Sequence, residues 1–220
     1  ENIAQLNISE FMNKFAIINV SKVDENINDI RDTIMNGSLN SLISKTIEED
    51  KEDLIIKNES LLYQITSSEN QIKNEYDNIS TIILDECEKI LKDEYNIDKD
   101  MSLLILKIDY YQPGSLIPII GYDVYEPITK EKLDLTYCKD ALINFNIPVS
   151  IDENNLFKYD PNNEYYSNEC HPSTSDSGTD ILINDRQNEY NNNNMSVCEN
   201  NCKFTGYESK IGRASCRERV

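Results

Sequence analysis

Between Ser102 and Ile151 four β-type runs follow one another, Ser102–Tyr111, Ile117–Tyr125, Leu133–Tyr137 and Phe145–Ile151, broken by Pro113-Gly114, Pro127 and Lys139-Asp140. Short runs rich in Ile, Leu, Val and Tyr at this spacing predict an antiparallel sheet or sandwich. Two runs upstream, Asp53–Lys57 and Leu61–Thr66, flank Asn58-Glu59-Ser60 as a plausible hairpin, and a polar connection over 67–80 leads to a run at Thr81–Leu84. Asp85-Glu86-Cys87-Glu88 then precedes an apolar stretch, an Asp variant of the capping box. It predicts one capping helix from Asp85 to about Tyr95, with Cys87 in its first turn facing the sheet beside Ile90 and Leu91.

The flanks read differently. Residues 1–22 mix apolar and polar side chains without clear caps, and Asn7–Val20 fits either a helix or a short strand pair. Val23, Ile27, Ile30 and Ile34, then Leu39, Leu42, Ile43 and Ile47, fall at helical spacing around Asn36-Gly37. Two short amphipathic helices hinged at Gly37 follow, with Ser38 as N-cap of the second. Beyond Asp152 the chain becomes polar and turn-rich, and Tyr159, Tyr165 and Tyr166 supply most of its apolar surface. A short helix fits Asp180–Tyr190. With so few aliphatic side chains, cross-links must substitute for a core there. The expected fold is therefore α+β, with a helical or uncertain segment at 1–52, an antiparallel β-rich domain at 53–152 and a disulfide-tied, loop-rich cap at 153–210.

The last ten residues, IGRASCRERV at 211–220, carry three of the five arginines in the chain, leaving only Arg31 and Arg186 before them. They resemble the translation of a common sequencing adapter, ATC GGA AGA GCG TCG TGT AGG GAA AGA GTG, which continues into a stop codon. The preceding Lys210 codon, AAG, supplies the adapter's first two bases. On this reading 211–220 is an artefactual tail outside the fold, and the chain is a fragment truncated after Lys210. Without those three Arg and one Glu the formal charge moves from −19 to −21. Such a field repels phosphate backbones and anionic lipid surfaces, which argues against a nucleic-acid partner.

Without Cys216, five cysteines remain: Cys87, Cys138, Cys170, Cys198 and Cys202. They lack zinc-ligand spacing, and His171 is the only histidine, so disulfides in an oxidising compartment are the expected use. Cys87 and Cys138 bracket the predicted sheet and are expected to pair. Cys170 is expected to bond Cys198 or Cys202, leaving the other for a residue beyond 210. Sequons occur at Asn7, Asn19, Asn36, Asn58, Asn78 and Asn194, as on a glycosylated surface.

Several blocks carry a likeness: SENQIKNEYDNISTI (68–82), DECEKILKDEYNID (85–98), IPIIGYDVY (117–125), KLDLTYCKD (132–140), IPVSID (147–152), YDPNNEYYSNEC (159–170), SGTDILINDRQNEY (177–190) and CENNC (198–202). Their order resembles an uncharacterised extracellular, membrane-proximal segment of large surface proteins from A/T-rich microbial eukaryotes. The resemblance implies an extracellular or lumenal module whose membrane contact is through an anchor missing from this fragment, and it implies no activity.

Other candidate sites are sparse. Asp176 and Asp180 around Gly178, with Asp185 nearby, form a weak Ca²⁺ candidate, against the simpler reading of helix caps. Arg186 is expected to tether a loop carboxylate or carbonyl. His171 beside Cys170 is the only imidazole available to a nucleophile. Tyr110, Tyr111, Tyr122 and Tyr125 would line a sugar-binding groove if they face outward, and pack the sheet if they do not. The sequence thus predicts a non-enzymatic spacer or adhesion unit with no cofactor and an unidentified protein or glycan ligand. The alternative is a secreted carbohydrate-binding module or an acid-pair glycoside hydrolase.

Overall fold

A computed structural model describes residues 43, 52–57, 60–73, 76–111, 115–175, 177–192, 195–198, 202–208 and 213–219. Most of the expected N-terminal helices, with Gly37 and Ser38, therefore lie outside the described residues. Ile43 is helical and fully buried.

Two four-stranded antiparallel sheets face each other. The first holds β1 (Leu54–Lys57), β2 (Leu61–Ser67), β4 (Leu104–Tyr110) and β5 (Ile119–Tyr125), in that order. The second holds β3 (Thr81–Ile83), β6 (Leu142–Pro148), β8 (Arg213–Arg219) and β7 (Cys202–Glu208), in the order β3-β6-β8-β7. The predicted α+β class with antiparallel sheets is what the chain adopts.

In the first sheet, all seven positions of β2 and all seven of β4 are buried. One face carries Leu61, Tyr63 and Ile65 against Leu104, Leu106, Ile108 and Tyr110, and this core also takes in Ile43 and Tyr125. The other face meets the second sheet: Ile105, Ile120 and Val124 pack with Ile82, Ile143, Phe145, Ile147, Ala214 and Cys216. Tyr122 spans the gap, its ring 5.7 Å from Phe145. The alternation in β6 is clean, with Ile143, Phe145 and Ile147 inward and Asn144 and Asn146 between them.

The connections explain where periodicity misled. A six-residue helix, α1 (Ser68–Lys73), occupies the predicted connection after β2, with a Glu69–Lys73 ion pair of 2.9 Å. Helix α2 (Glu86–Glu94) forms where the capping box predicted it and buries Cys87 and Leu91. Asp85 does not cap it through its side chain, however; that carboxylate accepts instead from Asn144 Nδ2 of β6 at 2.6 Å. The helix ends at Asn96 in the left-handed region (φ 53°), with the amide of Ile97 donating to the Lys92 carbonyl at 2.8 Å.

The predicted strand at Leu133–Tyr137 is instead a 3₁₀ turn, Leu135–Cys138. Asp134 accepts from the Thr136 amide through its side chain at 2.9 Å, which bends the chain, and pairing with β5 is reduced to a single bridge from Lys132 to Tyr125. The same device opens the two 3₁₀ turns that follow, Glu153–Tyr159 from Asp152 and Glu164–Tyr166 from Asn163. The predicted helix near 180–190 is α3 (Ile183–Asn192).

Two stretches of the C-terminal part are placed in the sandwich. Within the span expected as cap, Met195, Val197 and Cys198 are buried and Cys202–Glu208 forms β7. A register shift between Phe204 and Gly206 breaks the two-residue period that would have announced this strand. Arg213–Arg219, expected to lie outside the fold, forms β8 between β6 and β7. Ala214 and Cys216 point into the core, and Arg217 Nε donates to Asn144 Oδ1 at 2.8 Å.

Candidate functional site

The most concentrated polar chemistry lies between the sheets. On the inner face of β4, Lys107 and Asp109 are adjacent, both 0 % exposed, with Nζ to Oδ2 at 3.2 Å. Ser80, also fully buried, closes the group. Its hydroxyl donates to Asp109, with Oδ1 at 2.8 Å, and accepts from Lys107 Nζ at 2.7 Å; its carbonyl accepts from the same ammonium. The Ser80 amide also donates to Asp109 Oδ2 at 3.3 Å. Burial pushes the Lys107 pKa down from its usual value, while the Asp109 charge opposes that shift.

A serine hydroxyl beside a buried lysine resembles a nucleophile with its base. The hydrogen bonds argue otherwise. All three ammonium protons have acceptors, the hydroxyl proton has its own, and all three residues are closed to solvent. The arrangement locks the 76–80 turn onto β4 and leaves no face for a substrate.

A second polar group continues the layer. Asp53 accepts from Gln64 Nε2 (2.6 Å), Thr66 Oγ1 (2.7 Å) and Asn70 Nδ2 (2.8 Å), while Gln71 accepts from the Ile82 amide at 2.9 Å and so ties α1 to β3. Sequence reasoning missed both groups. The signal was the i,i+2 spacing of Lys107 and Asp109 within an otherwise apolar run, which puts them on one face.

The four cysteines of the two disulfides belong to the buried core that joins the sheets. Cys87 of α2 bonds Cys138 of the 3₁₀ turn, as expected, with Cα atoms 5.2 Å apart. Cys198 bonds Cys216, at a Cα separation of 5.7 Å. The expected bond from Cys170 to Cys198 or Cys202 is absent: Cys170 is exposed with a free thiol, and Cys202 is half-buried on β7. Setting aside the tail had removed Cys216 from the candidates for Cys198.

Over 153–192 an aromatic cluster substitutes for an aliphatic core. Tyr165 packs edge-on against Phe157, Tyr166 and His171, and Tyr166 against Tyr190, with centroids 4.9–5.4 Å apart. Arg186 of α3 is buried beneath it and donates to the carbonyls of Tyr165 (2.8 Å) and Asn168 (3.2 Å), the tethering role its sequence context suggested. Lys158 pairs with Glu189 at 3.1 Å, and Glu189 also accepts from the Tyr165 hydroxyl at 3.2 Å.

An open cleft of about 490 Å³ borders this cluster, lined in part by Cys170, His171, Asp180 and Leu182. His171 Nδ1 lies 3.0 Å from Ser173 Oγ, and its ring is held among Tyr165 and Phe157. A larger groove of about 570 Å³ runs beside α2, with Asp85, Glu88 and Asp93 facing Lys89, Lys92 and Lys99. Its charges neutralise each other, as in the Lys92–Glu88 pair at 2.7 Å.

Of the calcium candidates, Asp176 lies outside the described residues. Asp180 and Asp185 are exposed, and the neighbouring hydroxyls of Ser175, Ser177 and Thr179 hydrogen-bond one another at 2.7–3.3 Å. Among the described residues no group of three His, Cys, Asp or Glu side chains is placed to hold a metal ion.

The tyrosines do not form an outward platform. Tyr110 and Tyr125 are buried in the core on the outer face of the first sheet, Tyr122 packs between the sheets, and Tyr111 is half-buried. Of the sequons, Asn7, Asn19, Asn36, Asn58 and Asn194 lie outside the described residues, and Asn78 is exposed in the turn before Ser80. No family model, curated protein or solved structure matches this chain.

Proposed function

We propose that this chain is a non-enzymatic extracellular module, a spacer or adhesion unit of a membrane-anchored surface protein. The supporting observation is the Cys87–Cys138 disulfide, both of whose cysteines lie before the 211–220 segment. It staples the capping helix to the turn that follows β5. Structural disulfides of this kind form and persist in oxidising compartments. Two further features support the reading: the exposed side chain of the sequon asparagine Asn78, and the use of the chain's polar chemistry in closed internal hydrogen bonds.

Surface labelling of intact host cells with a membrane-impermeant amine reagent tests this. The module is expected to be labelled before lysis and to shift in mobility after glycosidase treatment. Labelling only after lysis contradicts it.

A further inference from the structure

The sequon Asn78-Ile79-Ser80 is divided by the fold. Asn78 is exposed, Ile79 is 8 % exposed, and Ser80 is 0 % exposed. Transfer of a glycan to asparagine requires the hydroxyl of the residue two positions on, which must reach the transferase together with the acceptor amide. Here that hydroxyl is bonded to Asp109 at 2.8 Å and to Lys107 at 2.7 Å inside the sandwich.

We propose that Asn78 is an N-glycan acceptor that can be modified only before the 76–80 turn docks onto β4, because the fold and the transferase compete for the same Ser80 hydroxyl. This rests on the extracellular reading for its biological setting. In the reaction the Asn78 side-chain nitrogen forms a bond to C1 of an oligosaccharide carried on a lipid pyrophosphate. The C1–oxygen bond breaks, the lipid pyrophosphate leaves with its electron pair, and the amide gives up one proton to base. No oxidant or reductant is required.

Once attached, the sugar sits on an exposed side chain and leaves the Ser80–Lys107–Asp109 group free to close. Withdrawing the hydroxyl from a folded chain instead strands a buried ammonium and a buried carboxylate without one of their partners. Occupancy at Asn78 therefore records the order of events: modification first, docking second.

The test uses the full chain made without glycans, oxidised and folded, beside the same chain reduced and alkylated in mild denaturant. A synthetic peptide covering 70–84 serves as a second unfolded reference. Each is incubated with an oligosaccharyltransferase and a lipid-pyrophosphate oligosaccharide, and occupancy of Asn78 is followed by peptide mass spectrometry. The folded chain is expected to react at least tenfold more slowly than both references. A smaller difference, or references that are not modified, overturns the proposal. Host protein lacking a glycan at Asn78, with the tenfold ordering intact in vitro, counts against the extracellular reading and leaves the ordering standing.

Discussion

The two sheets contain the same number of strands but draw them from different distances along the chain. The first is assembled from 54–125, each strand pairing with the one before it except where 68–103 makes an excursion. The second gathers β3 at 81–83, β6 at 142–148 and the β7–β8 pair at 202–219. The first sheet's pairings are set by hairpins and nearby returns. The second depends on a C-terminal segment that β6 must meet across the whole cap, so its loop-closure cost is larger and its integrity rests on a single added strand.

The largest expected effect comes from removing that strand. Ending the chain after Lys210 leaves β7 without its partner and strips one neighbour from β6. Amide hydrogen exchange should then show the β6 and β7 amides close to unprotected, while β2 and β4 keep their protection. Retained protection at β6 would mean that the second sheet does not need β8, and would break the comparison.

A second test probes what joins the sheets. Lys107→Met leaves Asp109 buried without its counter-charge and should cost about 4 kcal/mol in denaturant unfolding. Combining it with Asp109→Leu and Ser80→Ala removes every polar partner together and should recover most of that loss. A single variant as stable as the parent would contradict the locking role assigned to this group.

Loss of the Cys87–Cys138 bond in a double Ser variant should cost about 3 kcal/mol, through the freedom restored to the unfolded chain. The effect should appear in α2 and the 135–138 turn rather than in β2 and β4. An unchanged unfolding midpoint would show the bond to be energetically silent.

The smallest effect is alkaline. Burial lifts the Tyr111 hydroxyl, helped by the Asp109 charge, to about 12, and burial also raises Tyr63 and Tyr166. An acid held protonated in the folded state contributes stability that is present below the ordinary tyrosine value of about 10 and is lost as pH rises through the folded value. Phenolate absorbance should therefore lag behind model tyrosine between roughly pH 10 and 12 and rise as the chain unfolds. Titration of all tyrosines near pH 10 before unfolding would contradict this.

The contrast between the sheets also explains what could be read in advance. The β1–β2 hairpin, β4, β5 and α2 announce themselves through local pattern: apolar runs, Pro113-Gly114 and the acidic start of the helix. Leu133–Tyr137 failed because one carboxylate, Asp134, outweighed a β-rich composition. β7 failed because Gly206 falls where its register shifts, and β8 because a segment set aside on its coding resemblance still meets the requirements of a strand slot.

The Ser80–Lys107–Asp109 group illustrates a different limit. Lys107 and Asp109 share a face by spacing alone, but their burial depends on a turn that lies 27 and 29 residues away in sequence. The Cys87–Cys138 bond was legible because the helix start at Cys87 is real, although Cys138, expected at a strand end, lies in a 3₁₀ turn. The partner of Cys198 was not, because it lies in the segment set aside.

Peptide mapping under non-reducing conditions, on protein isolated from its host, is the most direct test of the extracellular account. Cys87 and Cys138 are predicted to be recovered as one cross-linked pair without added oxidant. Recovery of both as free thiols, alkylated at the moment of lysis, would contradict it.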